Sequence, residues 1–286
     1  MRIAATALML TLISVSMTSQ EVQFVDAEWE EVVKRAEAQE QFILVDAWTD
    51  WCHWCKVMDK KTFKDPKIAT FVNDRFVSWK INAEKGFGPE FAAKFRITGY
   101  PTLLFFNEHG QLVDKLIGYM EDKEKFIGEL KRVLSIEEEQ PFAFNSQDFN
   151  PGFPDFYTKM FYPERRKNSK QPDKAFIDSF LNEQNDLFSE VSWSVMYRFP
   201  LSDKYKQYFF DHYTEYRERF GQTEAERVLG NLFFRDAMQA IQAEDKEALD
   251  ETLAMLDKMP EDKAESMEQS MRMRFYQKTE DWNEYF

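Results

Sequence analysis

The chain has two cysteines, Cys52 and Cys55, set three positions apart in Trp51-Cys52-His53-Trp54-Cys55-Lys56. On a helix that spacing brings both thiols onto one turn, near enough to close a small disulfide. The segment directly follows Phe42-Ile43-Leu44-Val45-Asp46-Ala47-Trp48, a nearly continuous apolar run that reads as a central strand buried on both faces. A helix opening at Cys52 would turn its positive end and unpaired backbone N–H groups toward that sulfur and favour the thiolate. Cys52 can then attack a substrate disulfide, and Cys55 can resolve the mixed disulfide that forms. His53 adjoins Cys52, where a charged imidazole would stabilise the thiolate and make the pair more oxidising. Trp54 offers a bulky apolar surface to a substrate. Both also read as tolerated loop residues, so the direction of electron flow stays open.

Other chemistries find little support. Two cysteines are too few for a disulfide scaffold or for a four-cysteine zinc or iron–sulfur site. The histidines besides His53 are His109, in a turn signal, and His212, which leaves Cu(I) on the two thiolates as the one open metal reading. No G-x-S-x-G elbow is present, and the 9 glycines build no phosphate loop. Neither a metal nor a cofactor is expected, since the cysteine pair itself carries the electrons. With 51 acidic against 37 basic residues the net charge is -14, which argues against nucleic acid or anionic lipid as partner. The composition, 43% apolar and 31% charged, is that of a globular protein, and 286 residues allow two domains.

The amino terminus carries an address. Met1-Arg2, the apolar run from Ile3 to Val15 and the small, polar Ser16-Met17-Thr18-Ser19-Gln20 together read as a secretory signal peptide over residues 1–19. Cleavage after Ser16 or Ser19 fits equally. The run is short for a bilayer span, and no other stretch approaches that length. A buried helix would instead show a polar face. The mature chain is therefore expected to be exported and not membrane-spanning.

Residues 22–136 alternate strand and helix patterns. Strands are expected at Val22–Val25, Phe42–Trp48, Phe76–Ile81, Thr102–Phe106 and Gln111–Leu116, the last two joined by the turn signal Asn107-Glu108-His109-Gly110. Helices are expected at Trp29–Ala38, from Cys52, from Pro66 behind Asp65, at Pro89–Phe95 and at Lys123–Leu134. This order predicts an α/β domain with a central mixed sheet flanked by helices.

Three segments in this order resemble the thioredoxin-fold family: Val45-Asp46-Ala47-Trp48-Thr49-Asp50-Trp51-Cys52, Cys52-His53-Trp54-Cys55-Lys56-Val57-Met58 with Thr62-Phe63, and Gly99-Tyr100-Pro101-Thr102. The details are most similar to secreted thioredoxin-like thiol–disulfide oxidoreductases, including the periplasmic C-terminal domain of the transmembrane disulfide reductase. The resemblance implies that Cys52 is the exposed nucleophile and Cys55 the buried resolving thiol of a redox-active disulfide. It makes Asp46 the buried acid that assists proton transfer at Cys55. A carboxylate in so apolar a strand is costly unless functional, although a strand-end Asp bonded to backbone is the plain alternative. It makes Pro101 the cis-proline against the disulfide and, with Tyr100, Trp51, His53 and Trp54, part of a substrate-binding rim. Trp51 alone would also read as plain core. Implied partners are protein thiol or disulfide substrates and a membrane or envelope redox partner, in the periplasm of a Gram-negative envelope.

The resemblance stops near residue 136. Residues 137–172 open with Glu137-Glu138-Glu139-Gln140-Pro141 and read as an ordered, aromatic-anchored connector. Residues 173–286 read as an all-α, tetratricopeptide-like helical domain. Helices are expected at Asp203–Phe220, ended by Gly221, at Glu224–Ala243 behind a Thr223/Glu226 capping box, at Lys246–Met259 and at Asp262–Gln277, with another beginning at Trp282. Tyr205, Tyr208, Phe209, Phe210, Tyr213 and Tyr216 recur at helical spacing, the pattern of a core more than of a groove. A rival function follows: an envelope binding or scaffolding protein that recognises a protein partner through this half.

Overall fold

The computed structural model describes residues 21–136, 144–167, 169–259 and 261–280. The signal-peptide reading, the acidic break at 137–141 and the helix expected from Trp282 lie outside them. Strand β1 (Phe24–Val25) leads to α1 (Trp29–Gln39), β2 (Phe42–Trp48), α2 (His53–Lys61), α3 (Pro66–Asn73) and β3 (Phe76–Asn82). Then come α4 (Gly88–Lys94), β4 (Thr102–Phe106), β5 (Leu112–Ile117) and α5 (Lys123–Leu134). The sheet order is β1-β3-β2-β4-β5, with β1, β3 and β2 parallel and β4 antiparallel to both β2 and β5. This is the mixed sheet expected from the alternation. Strand β1 is shorter than its sequence pattern, and the other strand limits shift by one residue or less.

Alternation along β2 sorts the two layers. Ile43, Val45 and Ala47 pack with Trp29 of α1, Phe91 of α4 and Phe95 just after it. Leu44 packs with Met58 of α2, Ile68 of α3 and Phe126 of α5 on the other face. Local chemistry sets the helix starts: Asp65 accepts from the N–H groups of Lys67 and Ile68 ahead of Pro66, and Asp122 caps α5 in the same way.

The rest of the described chain is helical: α6 (Asp155–Thr158), α7 (Pro163–Arg166), α8 (Lys174–Asn182), α9 (Glu190–Arg198), α10 (Asp203–Asp211), α11 (Tyr213–Phe220), α12 (Gln222–Ala243), α13 (Lys246–Leu253) and α14 (Glu261–Thr279). It packs on the α1/α4 layer and continues that core. Tyr157, Trp193, Tyr216, Phe220 and Leu229 belong to the same buried cluster as Trp29, Phe91 and Phe106. Ahead of α6, Phe149 sets its ring against Phe87 and Phe91, and the Tyr157 hydroxyl donates to Ala93 O at 2.6 Å. Of the aromatic series, Tyr205, Phe209, Tyr213 and Tyr216 are buried, as a core pattern requires.

Three local expectations need correction. The Thr223/Glu226 capping box does not form. Gly221, at φ +89°, is the N-cap of α12, so Thr223 lies inside the helix and turns its hydroxyl to Asp114 of β5. The helix expected over Asp203–Phe220 breaks at His212, whose Nδ1 lies 2.8 Å from Tyr208 O and competes for a helical carbonyl. The segment Ala254–Lys258 tightens to a 3₁₀ helix in place of the end of a longer α-helix.

The two halves meet across a buried ionic cluster. Glu224 of α12 accepts two bonds from Arg96 Nε, at 2.8 and 3.0 Å, one from Trp193 Nε1 at 2.8 Å, and one from Lys115 Nζ. Lys94 Nζ pairs with Glu190 at 2.8 Å, and Arg96 also donates to Ser194 and to Lys94 O. Arg96 holds a positive φ of 53°, a conformation unfavourable for a side chain of this size unless its contacts impose it. Burial alone would raise the Glu224 carboxyl, but Arg96 and Lys115 outweigh it and hold it below the usual range. Burial pulls Lys115 down to about 8, against the opposing pull of Glu224.

Candidate active site

Strand β2 ends at Trp48, and the chain turns through Thr49-Asp50-Trp51 into α2. Cys52 is the N-cap residue of α2, with extended backbone, and its sulfur accepts from the Cys55 N–H at 3.0 Å. The two sulfurs are joined as a disulfide, with Cα atoms 5.4 Å apart. The helix dipole and that N–H both favour negative charge on Cys52 after reduction.

Burial differs from the expectation for Cys52. Cys52 is 3% exposed and Cys55 1%. The N-cap position draws the Cys52 sulfur inward over the first turn of α2, while its aromatic neighbours stand out. Trp51 is 62% exposed and Trp54 54%. Trp51 meets Tyr100 edge-on at 5.7 Å, and Trp54 stacks on Tyr119 at 5.3 Å. His53 is exposed, edge-on to Trp54. Across from α2 the Tyr100–Pro101 peptide bond is cis, and Pro101 O accepts from the Gly118 N–H. Burial, reinforced by Glu84, pushes the Tyr100 hydroxyl up to about 12, so it stays neutral at physiological pH. The structure thus gathers Trp51, His53, Trp54 and the Tyr100–Pro101 loop into an aromatic rim around the disulfide.

Asp46 is fully buried on the α2 side of the sheet. Its register partner in β3 is Lys80, whose ammonium lies 2.9 Å from Asp46 Oδ2 and also pairs with Asp59 of α2. Burial raises the Asp46 carboxyl above its ordinary value, and Lys80 offsets only part of that rise. Burial would lower Lys80, but Asp46 and Asp59 outweigh it and hold the ammonium above its usual value. The net effect favours the protonated form of this buried carboxyl.

Sequence reasoning missed the residues that brace this arrangement. Lys80 could have been found, because a lysine within the apolar run Phe76–Ile81 is out of pattern just as Asp46 is. Glu84 could not. Its Oε2 accepts from Trp51 Nε1 at 2.8 Å, while Oε1 accepts from Arg166 of α7 at 3.3 Å. Arg227 of α12 likewise donates to Thr98, ahead of the Tyr100–Pro101 loop, at 3.1 Å. The helical half therefore holds the rim at two points, through partners more than eighty positions apart in the chain.

The family model for the thioredoxin-like domain matches residues 29–134. The thiol:disulfide interchange protein DsbD of Tatumella citrea is 31% identical over 101 residues, 34% of this chain and 17% of that protein. Its namesake in Pseudomonas fluorescens is 29% identical over 85 residues, 29% of this chain and 15% of the relative. The chain thus spans less than a fifth of the length of these curated relatives. Among solved structures, a candidate disulphide-isomerase from Bacteroides thetaiotaomicron is 37% identical, with a TM-score of 0.38, covering 41% of this chain and 96% of that one. A five-stranded mixed sheet, a cysteine pair opening the helix after its central strand and the family match over the same residues lead to one conclusion: residues 29–134 are a thioredoxin-like domain.

Proposed function

We propose that the protein is a thiol–disulfide oxidoreductase whose Cys52–Cys55 pair exchanges with disulfides or thiols of protein substrates. The observation that carries this reading is the N-cap position of Cys52, with the Cys55 N–H on its sulfur and Asp46 buried beneath α2. In the reducing direction, the Cys52 thiolate attacks one sulfur of a substrate disulfide and expels the other as a thiolate. Cys55, losing its proton to Asp46, then attacks Cys52 Sγ. This releases the second substrate thiolate and leaves the Cys52–Cys55 disulfide. Two electrons pass to the substrate, and the reverse sequence oxidises a dithiol. The aromatic rim would grip an extended segment of the substrate beside Pro101.

The apolar run Ile3–Val15 supports export, with the periplasm of a Gram-negative envelope as the proposed compartment and a membrane-bound redox partner there. No helix among the described residues is long and apolar enough to cross a membrane. Equilibration with glutathione buffers tests the redox reading, and a reversible two-electron couple between Cys52 and Cys55 is expected. A midpoint near about -270 mV identifies a reductase, and one above about -180 mV an oxidase or isomerase. Failure of the pair to titrate at all would replace this reading with the scaffold one.

Asp46→Asn separates chemistry from stability. Exchange is expected to slow about 10- to 100-fold near neutral pH, towards the low end for a positioned proton acceptor. Stability should move the other way. The folded-state pKa of Asp46 lies above its unfolded value, so folding favours the protonated form, and the cost of burying this group grows as pH rises above 3.8 and is complete above the folded value. The oxidised variant should therefore melt higher than the parent at pH 8 and lose that advantage below the ordinary value of 3.8. An unchanged exchange rate would remove Asp46 from the mechanism.

A further inference from the structure

Helix α12 buries Leu229, Phe233, Ala237 and Ala240 along one side. Asn231, Phe234, Arg235, Gln239 and Gln242 line its other side at helical spacing. With the last turn of α9 this side walls a cleft of about 760 Å³, to which Arg198 also contributes. None of the described residues lining it is acidic, in a chain of net charge -14.

Its two arginines lack counter-charges. Among the described residues neither Arg198 nor Arg235 makes an ion pair or a hydrogen bond, and Arg235 Nη1 is buried without a partner. Burial pushes the Arg198 guanidinium below its ordinary value. The neighbouring Arg166 pushes the same way, and Tyr157 opposes them in place of a carboxylate. Desolvated guanidinium groups without anions are expensive, and a carboxylate supplied from outside would relieve that cost through charge-assisted, two-pronged bonds. Phe234, 49% exposed, supplies an apolar shelf beside them, and the amides of Asn231, Gln239 and Gln242 can pair with peptide N–H and C=O groups.

We propose that this cleft is a binding site for an extended acidic peptide segment of a partner protein, with carboxylates on Arg198 and Arg235, an apolar side chain on Phe234 and backbone amides along α12. A small inorganic anion would use the arginines but leave the amide row and the Phe234 shelf empty. The site is separate from the Cys52–Cys55 chemistry and does not depend on it.

Fluorescence anisotropy of the full-length protein tests this. The probe is a fluorescein-labelled pentapeptide of four glutamates around a central phenylalanine, and its neutral counterpart carries four glutamines. The acidic peptide should bind at least about tenfold tighter than the neutral one and weaken as salt is raised. Arg198→Gln and Arg235→Gln, each first shown by circular dichroism to melt as a folded protein, should each reduce that affinity severalfold. A peptide of four lysines around phenylalanine, tested on the unaltered protein, should not bind. Equal binding of the acidic and neutral peptides would overturn the proposal, as would undiminished affinity in both folded variants. Complete displacement of the acidic peptide by inorganic phosphate at the peptide's own concentration would make this a free-anion site and overturn the peptide assignment.

Discussion

Cys55→Ala is expected to accumulate covalent complexes between Cys52 and protein substrates, visible as reductant-sensitive bands on non-reducing gels, while Cys52→Ser yields none and loses all exchange activity. The asymmetry follows from position. Cys52 caps α2, where the helix dipole and the Cys55 N–H favour a thiolate, so it is expected to be the sulfur that attacks. Removing Cys55 leaves that N–H and the dipole in place, because the donor is backbone, but takes away the thiol that would expel the substrate. The mixed disulfide then has no internal route to resolution. Because Cys52 is only 3% exposed, formation of the complex needs the rim to yield. Trapping should be slower with bulky folded substrates than with unfolded chains. Equal trapping by the two single variants would mean that the assignment of attacking and resolving sulfurs is wrong. A Cys55→Ala protein that captures nothing would count against protein substrates altogether.

Glu224→Ala is expected to cost about 3–5 kcal/mol of folding stability in urea titrations of the full chain, the range for removing one partner of a buried ionic cluster. Glu224 is 1% exposed and accepts from Arg96, Lys115 and Trp193. Without it Lys115 loses its paired anion, Arg96 keeps only Glu190 at 3.6 Å, and the seam between the thioredoxin-like domain and α12 loses its central contact. Lys115→Met serves as the contrast. Among the described residues Lys94, Arg96 and Lys115 form their ion pairs with Glu190 and Glu224, three cations on two carboxylates, so replacing one cation by an apolar chain of similar length should cost less than about 1.5 kcal/mol. The pH profiles also differ in sign. Glu224 has a depressed folded-state pKa, so its contribution is present above the unfolded value and is lost as pH falls through the folded one. Lys115, down to about 8 from 10.5, burdens the folded state fully below about 8, and that burden fades as pH rises toward 10.5. The stability gap between Lys115→Met and the parent should shift in the parent's favour across that window. Equal losses for the two substitutions would show that the seam is held by packing and not by Glu224.

Both experiments bear on how the helical half contributes. Arg166 reaches Glu84, which holds Trp51, and Arg227 reaches Thr98, ahead of the Tyr100–Pro101 loop. Loosening the seam at Glu224 therefore loosens the supports of the rim. Glu224→Ala should raise KM for a protein substrate more than it lowers kcat, because the sulfurs and Asp46 keep their own local contacts.

The amino-acid sequence by itself determined what is local or periodic. The period of the apolar residues separates the strands from the helices of residues 22–134, and most helix limits follow from caps such as Asp65 and Asp122. The cysteine spacing, placed just after the most apolar strand, locates the redox pair, and Asp46 stands out because a carboxylate in that strand is out of pattern. Tertiary structure decided whatever depends on partners distant in the chain. Lys80 meets Asp46 only through the β2–β3 register. Glu84, beyond the end of β3, meets Trp51 across the fold and acquires Arg166 only when α7 packs beside the site. Thr223 reads as a helix cap until Asp114 of β5 takes its hydroxyl and Gly221 starts α12 earlier. The change of texture near residue 136 marks where the sheet ends, but the apolar side chains on both sides of it collapse into one core. The physical reason is reach: capping and periodicity act within a few residues and are written into neighbouring positions. Ion pairs and core contacts form between groups that only the completed fold brings together and removes from water.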